Sequence, residues 1–227
     1  MVIEALIFDF DGLIVETEEA EYLSWKQIWA DAGLELNLEE WAQGIGAVHG
    51  DDGFHPSREL VARSGRSFDP EALRDRQRRQ VQDLLRTAEL MPGIQAWVEE
   101  AARLGLGMAI ASSSPRSWVE AHLKRLGVDH WWPTRVCFDD CGRAKPDPTS
   151  YRLACGRLEV GATAALAIED SRNGLLAAKA AGLTCVVVPT GMTAELDFTE
   201  ADLVLSSLQD ASLGEVLHRL GAAPLPG

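Results

Sequence analysis

The run Ile3-Glu4-Ala5-Leu6-Ile7-Phe8-Asp9-Phe10-Asp11-Gly12 constrains the fold more than any other stretch. It is apolar from Ala5 to Phe8 without alternation, and it stops on a carboxylate at Asp9. A strand with one wet face alternates apolar and polar residues. A strand covered on both faces does not, and it belongs to a parallel sheet with helices on either side. The stop on Asp9 therefore places a charged group at the mouth of such a sheet. Asp11 follows after one residue, and then Gly12. Two carboxylates this close repel each other, and keeping them together needs a cation or a shared proton. An acidic turn after a strand reads the same in isolation, so the ends of the other strands decide.

From Met91 onward helix and strand signals alternate. Helix 93–104 stops at Gly105 before strand 106–111, and helix 115–126 stops at Gly127 before strand 134–138. Helix 148–158, strand 164–168, helix 173–181 with Gly182, strand 184–188, a short strand 202–205 and a last helix follow, with a tail expected to fray. This rhythm predicts an α/β fold with a parallel sheet and helices on both faces, whose ligand crevice lies beyond the carboxyl ends of the strands. Three places at those ends carry chemistry: Ser112, Ser113 and Ser114; Lys145 in the loop Arg143-Ala144-Lys145-Pro146-Asp147-Pro148; and Glu169-Asp170. Each has a plain structural reading. Serines before Pro115 cap a helix, a loop lysine is solvated, and Glu-Asp caps the next helix. Their convergence on one sheet edge is what separates chemistry from capping.

Between the first strand and Met91 no strand pattern occurs. Tyr22, Trp25, Trp29 and Ala32 recur at helical spacing up to Gly33. Segments 38–43 and 56–63 read as short helices, with Gly44 and Gly46 interrupting between them. Asp69 and Pro70 open a long helix with Leu73, Val81 and Leu84 on one face. This connection is too long for an ordinary crossover, so residues 16–89 are expected to form a helical insertion domain, with residues 1–15 and 90–227 as the core. His49, Asp51, Asp52 and His55 fit no standard metal spacing and read as a polar loop.

The 227 residues are 46% hydrophobic and 25% charged, which is the composition of a soluble globular protein with a substantial core. No apolar run approaches the roughly 20 residues that span a bilayer. The chain starts on a strand without a basic leader, so a cytoplasmic location is expected. A net charge of −14 argues against nucleic acid as a partner. Cys137, Cys141, Cys155 and Cys185 lack zinc spacing and read as reduced thiols, with Cys137 and Cys185 inside apolar strands.

The order Asp-x-Asp-Gly, Ser, Lys-Pro, Glu-Asp resembles the haloacid dehalogenase superfamily over nearly the whole chain. More narrowly it resembles the β-phosphoglucomutase and sugar-phosphatase branch. The resemblance implies a Rossmann-like core with an inserted all-helical cap. It also implies Mg²⁺-dependent hydrolysis of a small phosphorylated metabolite through an aspartyl-phosphate. Asp9 would be the nucleophile and a metal ligand, and Asp11 the general acid and base, its backbone carbonyl a further ligand. Ser112 and Ser113 would hold phosphoryl oxygens, and Lys145 would offset their charge. Asp170 is the preferred second carboxylate ligand, with Glu169 as a close alternative. Asn173 and Gly174 open the next helix and read either as supports behind the site or as cap residues, the latter preferred.

Related branches differ at defined positions. Asp11 is absent from dehalogenases, and Lys26, the only lysine in the insert, lies on an amphipathic helix unsuited to a phosphonatase Schiff base. Where mutases carry a histidine, four residues after the motif threonine Thr17, this chain has Glu21; it also has Glu16 in place of the usual aspartate. Both departures favour a phosphatase. A β-phosphoglucomutase-like mutase is the alternative, and a silent binding protein on the same fold the third reading. Specificity is expected in the insert, near Gly44 and Gly46, and from the inward-facing members of Arg74, Arg76, Arg78 and Arg79, with Arg76 and Arg79 preferred. The expected state is a monomer or weak dimer.

Overall fold

The computed structural model describes residues 1–42 and 54–224. Gly44 and Gly46, with His49, Asp51 and Asp52, lie outside the described residues. A short strand β1 (Val2–Ile3) precedes β2 (Ala5–Phe8). β2 is the centre of a six-stranded parallel sheet. It pairs with β3 (Gly107–Ala111) on one side and β5 (Ala165–Glu169) on the other. Outside these lie β4 (Thr134–Val136), β6 (Thr184–Val187) and β7 (Leu203–Val204), giving the order β4-β3-β2-β5-β6-β7.

All four residues of β2 are fully buried, as the unalternating run requires. Their side chains nevertheless divide by period two between two cores. Leu6 and Phe8 join Ile110, Leu166, Ile168, Trp97 and Trp132 on one face. Ile7 joins Ala109, Ala111, Ala165, Ala167 and Tyr151 on the other, where small residues let helices approach closely. The register sets Phe8 beside both Ile110 and Ile168. Asp9, Ser112 and Asp170 are thereby brought to one sheet edge, anchored by Asp9 N–H to the Ile168 carbonyl (2.9 Å) and Ser112 N–H to the Val136 carbonyl (2.9 Å).

Between β2 and β3 the chain forms α1 (Glu18–Asp31), α2 (Leu38–Ala42), α3 (Pro56–Ser64), α4 (Pro70–Leu85) and α5 (Ile94–Arg103). The first four helices share an apolar cluster of their own, built on Tyr22, Trp25, Ile28, Trp29, Trp41, Leu60 and Leu73. Asp69 caps α4, accepting from the Glu71 N–H at 3.0 Å. The inward face of α4 differs from expectation: Leu84 is 46% exposed, and Leu85 is buried in its place, one turn from Val81.

After β3 come α6 (Arg116–Leu126), β4, α7 (Phe138–Cys141), α8 (Thr149–Leu158), β5, α9 (Arg172–Ala181), β6, β7 and α10 (Leu213–Arg219). Strand 134–138 is shorter than predicted. β4 ends at Val136, and Cys137 opens α7 because its N–H is taken by Asp140 at 2.8 Å. The tail also departs from expectation. Ala223–Pro224 forms a strand, β8, parallel to β1, with the Ala223 N–H on the Met1 carbonyl at 3.0 Å. Among the described residues no helix is long and apolar enough to cross a membrane.

Candidate active site

Lys145 is the electrostatic pivot. It lies between α7 and α8, 2% exposed, with its Nζ 2.5 Å from Asp9 Oδ1 and 2.6 Å from Glu169 Oε1. Burying an ammonium costs several kcal/mol unless carboxylates accompany it. Burial pulls its pKa down, but Asp9 and Glu169 outweigh that pull and hold it protonated. The Tyr151 hydroxyl, from α8, donates to the same oxygen of Glu169. The Ser113 hydroxyl accepts from the Lys145 backbone N–H at 3.1 Å, joining the serine loop to the lysine loop.

Glu169 is saturated by the protein. Its Oε2 accepts from the Asp170 N–H and the Ser171 hydroxyl, both at 3.3 Å. Ser171 also caps α9 by accepting from the Gly174 N–H at 3.1 Å. A Cβ on Gly174 would lie 1.9 Å from Glu169 Oε2, so this glycine makes room for the buried carboxylate rather than serving only as a cap residue. Asn173 is the second residue of α9.

Asp170 is the opposite case. It is 1% exposed, and neither carboxylate oxygen has a hydrogen-bond partner. Burial, then Asp9 and Glu169, push its pKa well above the usual carboxylate range. Gly12, at φ +80°, runs the Asp11–Gly12 turn so close that a Cβ there would lie 2.1 Å from Asp170 Oδ2. The Thr193 hydroxyl, itself accepting from the Thr190 N–H, holds the Asp170 carbonyl at 2.8 Å. One oxygen from each of Asp9, Glu169 and Asp170 falls within 4.8 Å of the others. Asp9 itself is pushed up to about 7 by burial and by Glu169, against the opposing pull of Lys145. Three converging carboxylates with two orphaned oxygens fit a hard, oxygen-binding cation. The orphaned oxygens favour Asp170 over the saturated Glu169 as the second ligand.

Asp11 points into a separate network. Its Oδ1 accepts from the Thr17 hydroxyl (2.7 Å) and the Trp118 indole N–H (2.8 Å). Its Oδ2 accepts from the hydroxyls of Ser114 (2.6 Å) and Ser112 (3.4 Å). The Ser112 hydroxyl also accepts from the Ser114 N–H at 2.9 Å. The serines therefore do not cap α6. That role falls to Asp139, which accepts from the Arg116 N–H at 2.6 Å. The first turn of α1 adds acidic groups beside Asp11: burial and then Asp11 push Glu21 up to about 7, and burial and then Glu21 push Glu18 well above its usual range.

The arginines of α4 are placed elsewhere. Arg76 pairs with Asp31, at the end of α1 away from Thr17, and Arg79 is exposed. Lys26 lies 5.5 Å from the ring centre of Tyr22 within the insert. The sequence singles out neither Tyr151 nor Trp118, and it places Ser114 in the serine run without a role of its own. The available signals were modest: Tyr151 shares a buried helix face with Ala154 and Cys155, and Trp118 follows the serine loop by one turn.

These features define an α/β enzyme with an acidic centre at the carboxyl edge of a parallel sheet. Residues 6–188 match the haloacid dehalogenase-like hydrolase family, and the chain belongs to it. It is 37% identical over 97% of its length to the putative phosphatase YhcW of Bacillus subtilis, covering 99% of that protein. The crystal structure of a CbbY variant from Rhodobacter sphaeroides with xylulose-1,5-bisphosphate superposes with a TM-score of 0.74 at 30% identity, covering 94% of this chain and 98% of that one. A β-phosphoglucomutase from Clostridium difficile shares the fold at a TM-score of 0.77 and 20% identity, covering 97% of this chain and 98% of that one.

Proposed function

We propose that the chain, a phosphatase of the haloacid dehalogenase type, hydrolyses a small phosphorylated metabolite, a sugar or polyol phosphate, with Mg²⁺ as cofactor. The observation that carries this reading is the buried pair of Asp9 and Lys145 beside the unpartnered Asp170. The relatives support it: YhcW is named a putative phosphatase, and CbbY was crystallised with a phosphorylated sugar. Asp9, Asp170 and the Asp11 carbonyl would hold the metal, with Glu169 beside them. When bound, Mg²⁺ offsets charge between phosphoryl oxygens and carboxylates.

Asp9 attacks phosphorus, and the bond to the leaving oxygen breaks as Asp11 gives that oxygen a proton. Asp11 then takes a proton from the water that attacks the aspartyl-phosphate, which releases inorganic phosphate and restores Asp9. Ser112 and Ser113 bind phosphoryl oxygens, and Lys145 keeps Asp9 aligned and offsets the gathered negative charge. The helical insert, residues 16–89, acts as a cap that excludes water and reads the rest of the substrate. Segment 43–53, with Gly44 and Gly46, remains the proposed specificity element, while the pairing of Arg76 with Asp31 and the exposure of Arg79 leave these two arginines out of it.

Glu21 replaces the histidine expected of a mutase; with its carboxyl pushed up to about 7 it is ionised in only part of the population at neutral pH, and in that form it accepts hydrogen bonds without donating and repels a bisphosphate. Hydrolysis is therefore favoured over intramolecular transfer. A cytoplasmic location, with a monomer or weak dimer, belongs to the same reading; the four free cysteines fit a reducing compartment and do not bear on the oligomeric state. Phosphate release from a panel of sugar and polyol phosphates, with Mg²⁺ and with excess EDTA, tests the reading. Full activity in EDTA overturns it. So does accumulation of glucose 6-phosphate from β-glucose 1-phosphate faster than free phosphate.

A further inference from the structure

Asp11 is held by four side-chain donors, and one of them differs in kind. The hydroxyls of Thr17, Ser112 and Ser114 can donate or accept, whereas an indole N–H can only donate. Trp118 therefore fixes Asp11 Oδ1 as an acceptor. A proton carried by Asp11 sits on Oδ2, whose serine partners can turn to accept it.

The Trp118 ring is half-buried and rests on both parts of the molecule. It packs against the cluster of the sheet and also against Ala20 of α1 with Val81 and Leu85 of α4. Its edge is set against His122, with ring centres 4.4 Å apart and planes at 68°. The indole is thus oriented by the core helix that carries it and by the two helices of the insert packed against it.

We propose that Trp118 is a positioning residue for Asp11. Its N–H aligns the carboxyl for proton transfer, and its ring makes that alignment depend on where the insert sits. This inference rests on the acid–base role proposed for Asp11. Thr17, at the entry to α1, touches the same oxygen, so both contacts to Oδ1 come from groups that the insert carries or presses upon.

Leaving-group dependence gives the test. A primary alkyl phosphate such as glycerol phosphate needs a proton on its leaving oxygen, whereas p-nitrophenyl phosphate departs largely without one. The readout is the ratio of kcat/KM on the alkyl substrate to kcat/KM on the aryl substrate. Trp118→Phe keeps the aromatic body and removes one hydrogen bond to a charged group, so the ratio should fall about tenfold. Asp11→Asn should lower the same ratio further. Leu85→Ala, which thins the packing behind the indole, should lower it in the same direction. Melting temperatures of all variants separate these effects from loss of fold.

If Asp11→Asn lowers the ratio and Trp118→Phe lowers both substrates alike, the indole is only packing and the proposal is overturned. An unchanged ratio in Leu85→Ala removes the coupling to the insert. If Asp11→Asn itself leaves the ratio unchanged, the acid–base role falls on that separate result, and the inference falls with it.

Discussion

The carboxylate cluster should make the metal-free protein less stable as pH rises, and Mg²⁺ should reverse the trend. Asp9 is 6% exposed, and its carboxyl is carried from 3.8 to about 7 by burial and by Glu169. A carboxyl whose folded-state pKa lies above its unfolded value binds more protons when folded. Its stabilising contribution is complete below about pH 4 and is lost as pH climbs through about 7. The displacement corresponds to roughly 4 kcal/mol of protonated-state preference. Of this, roughly 2.7 kcal/mol is lost between pH 5 and pH 8, which for a chain of this size is a fall of roughly 5 °C in Tm at roughly 2 °C per kcal/mol. Asp170, displaced in the same direction, deepens the fall. A divalent ion competes with these protons, so its stabilisation should grow with pH and add about 2.7 kcal/mol at a hundredfold excess over Kd. Calorimetric melting in EDTA and in Mg²⁺, at half-unit pH steps from 5 to 8.5, measures both trends. Asp9→Asn should flatten the EDTA curve. A parent Tm that rises from pH 6 to 8 in EDTA, or an unchanged slope in Asp9→Asn, refutes the reasoning.

Asp9→Asn is also expected to abolish turnover with the fold retained. A residual rate above a tenth of the parent, a barrier change below about 1.4 kcal/mol, would exclude Asp9 as nucleophile. Lys145→Met leaves Asp9 and Glu169 buried without their cation and should destabilise by about 3–5 kcal/mol at pH 7 in EDTA, read by urea titration. Gly174→Ala drives a methyl into the Glu169 carboxylate and should cost about 1–3 kcal/mol, with activity falling as Lys145 and Tyr151 lose their shared acceptor. Parent-like stability and rate in Gly174→Ala would show that Glu169 can shift freely.

Much of this protein was legible in one dimension, for a physical reason. A parallel strand covered on both faces carries polar side chains only at its end, so Asp9, Ser112 and the pair Glu169-Asp170, whose glutamate is the last residue of β5, each announced a strand end. Ends of parallel strands point the same way, which made one site of them before any contact was known. Capping chemistry was equally local, and Asp69 with Pro70 opens α4 as read. Two-residue strands carry no periodicity, so the pairing of β1 with β8 had no signal. Leu84 and Leu85 fit the same helical spacing, and only the packing against Ala20 chose between them.

Tertiary structure decided the partners. Nothing in the order of residues says that Glu169 is saturated by Lys145, Tyr151, Ser171 and its own chain while its neighbour Asp170 has no partner. Nor does it say that Ser114 and Trp118 turn to Asp11 rather than to a cap and a core. The sequence by itself determined which residue types reach the carboxyl edge, because burial and strand direction act along the chain. How those residues divide into a cation-binding face and a proton-transfer network depends on distances between segments far apart in sequence, and only the packed helices set those distances.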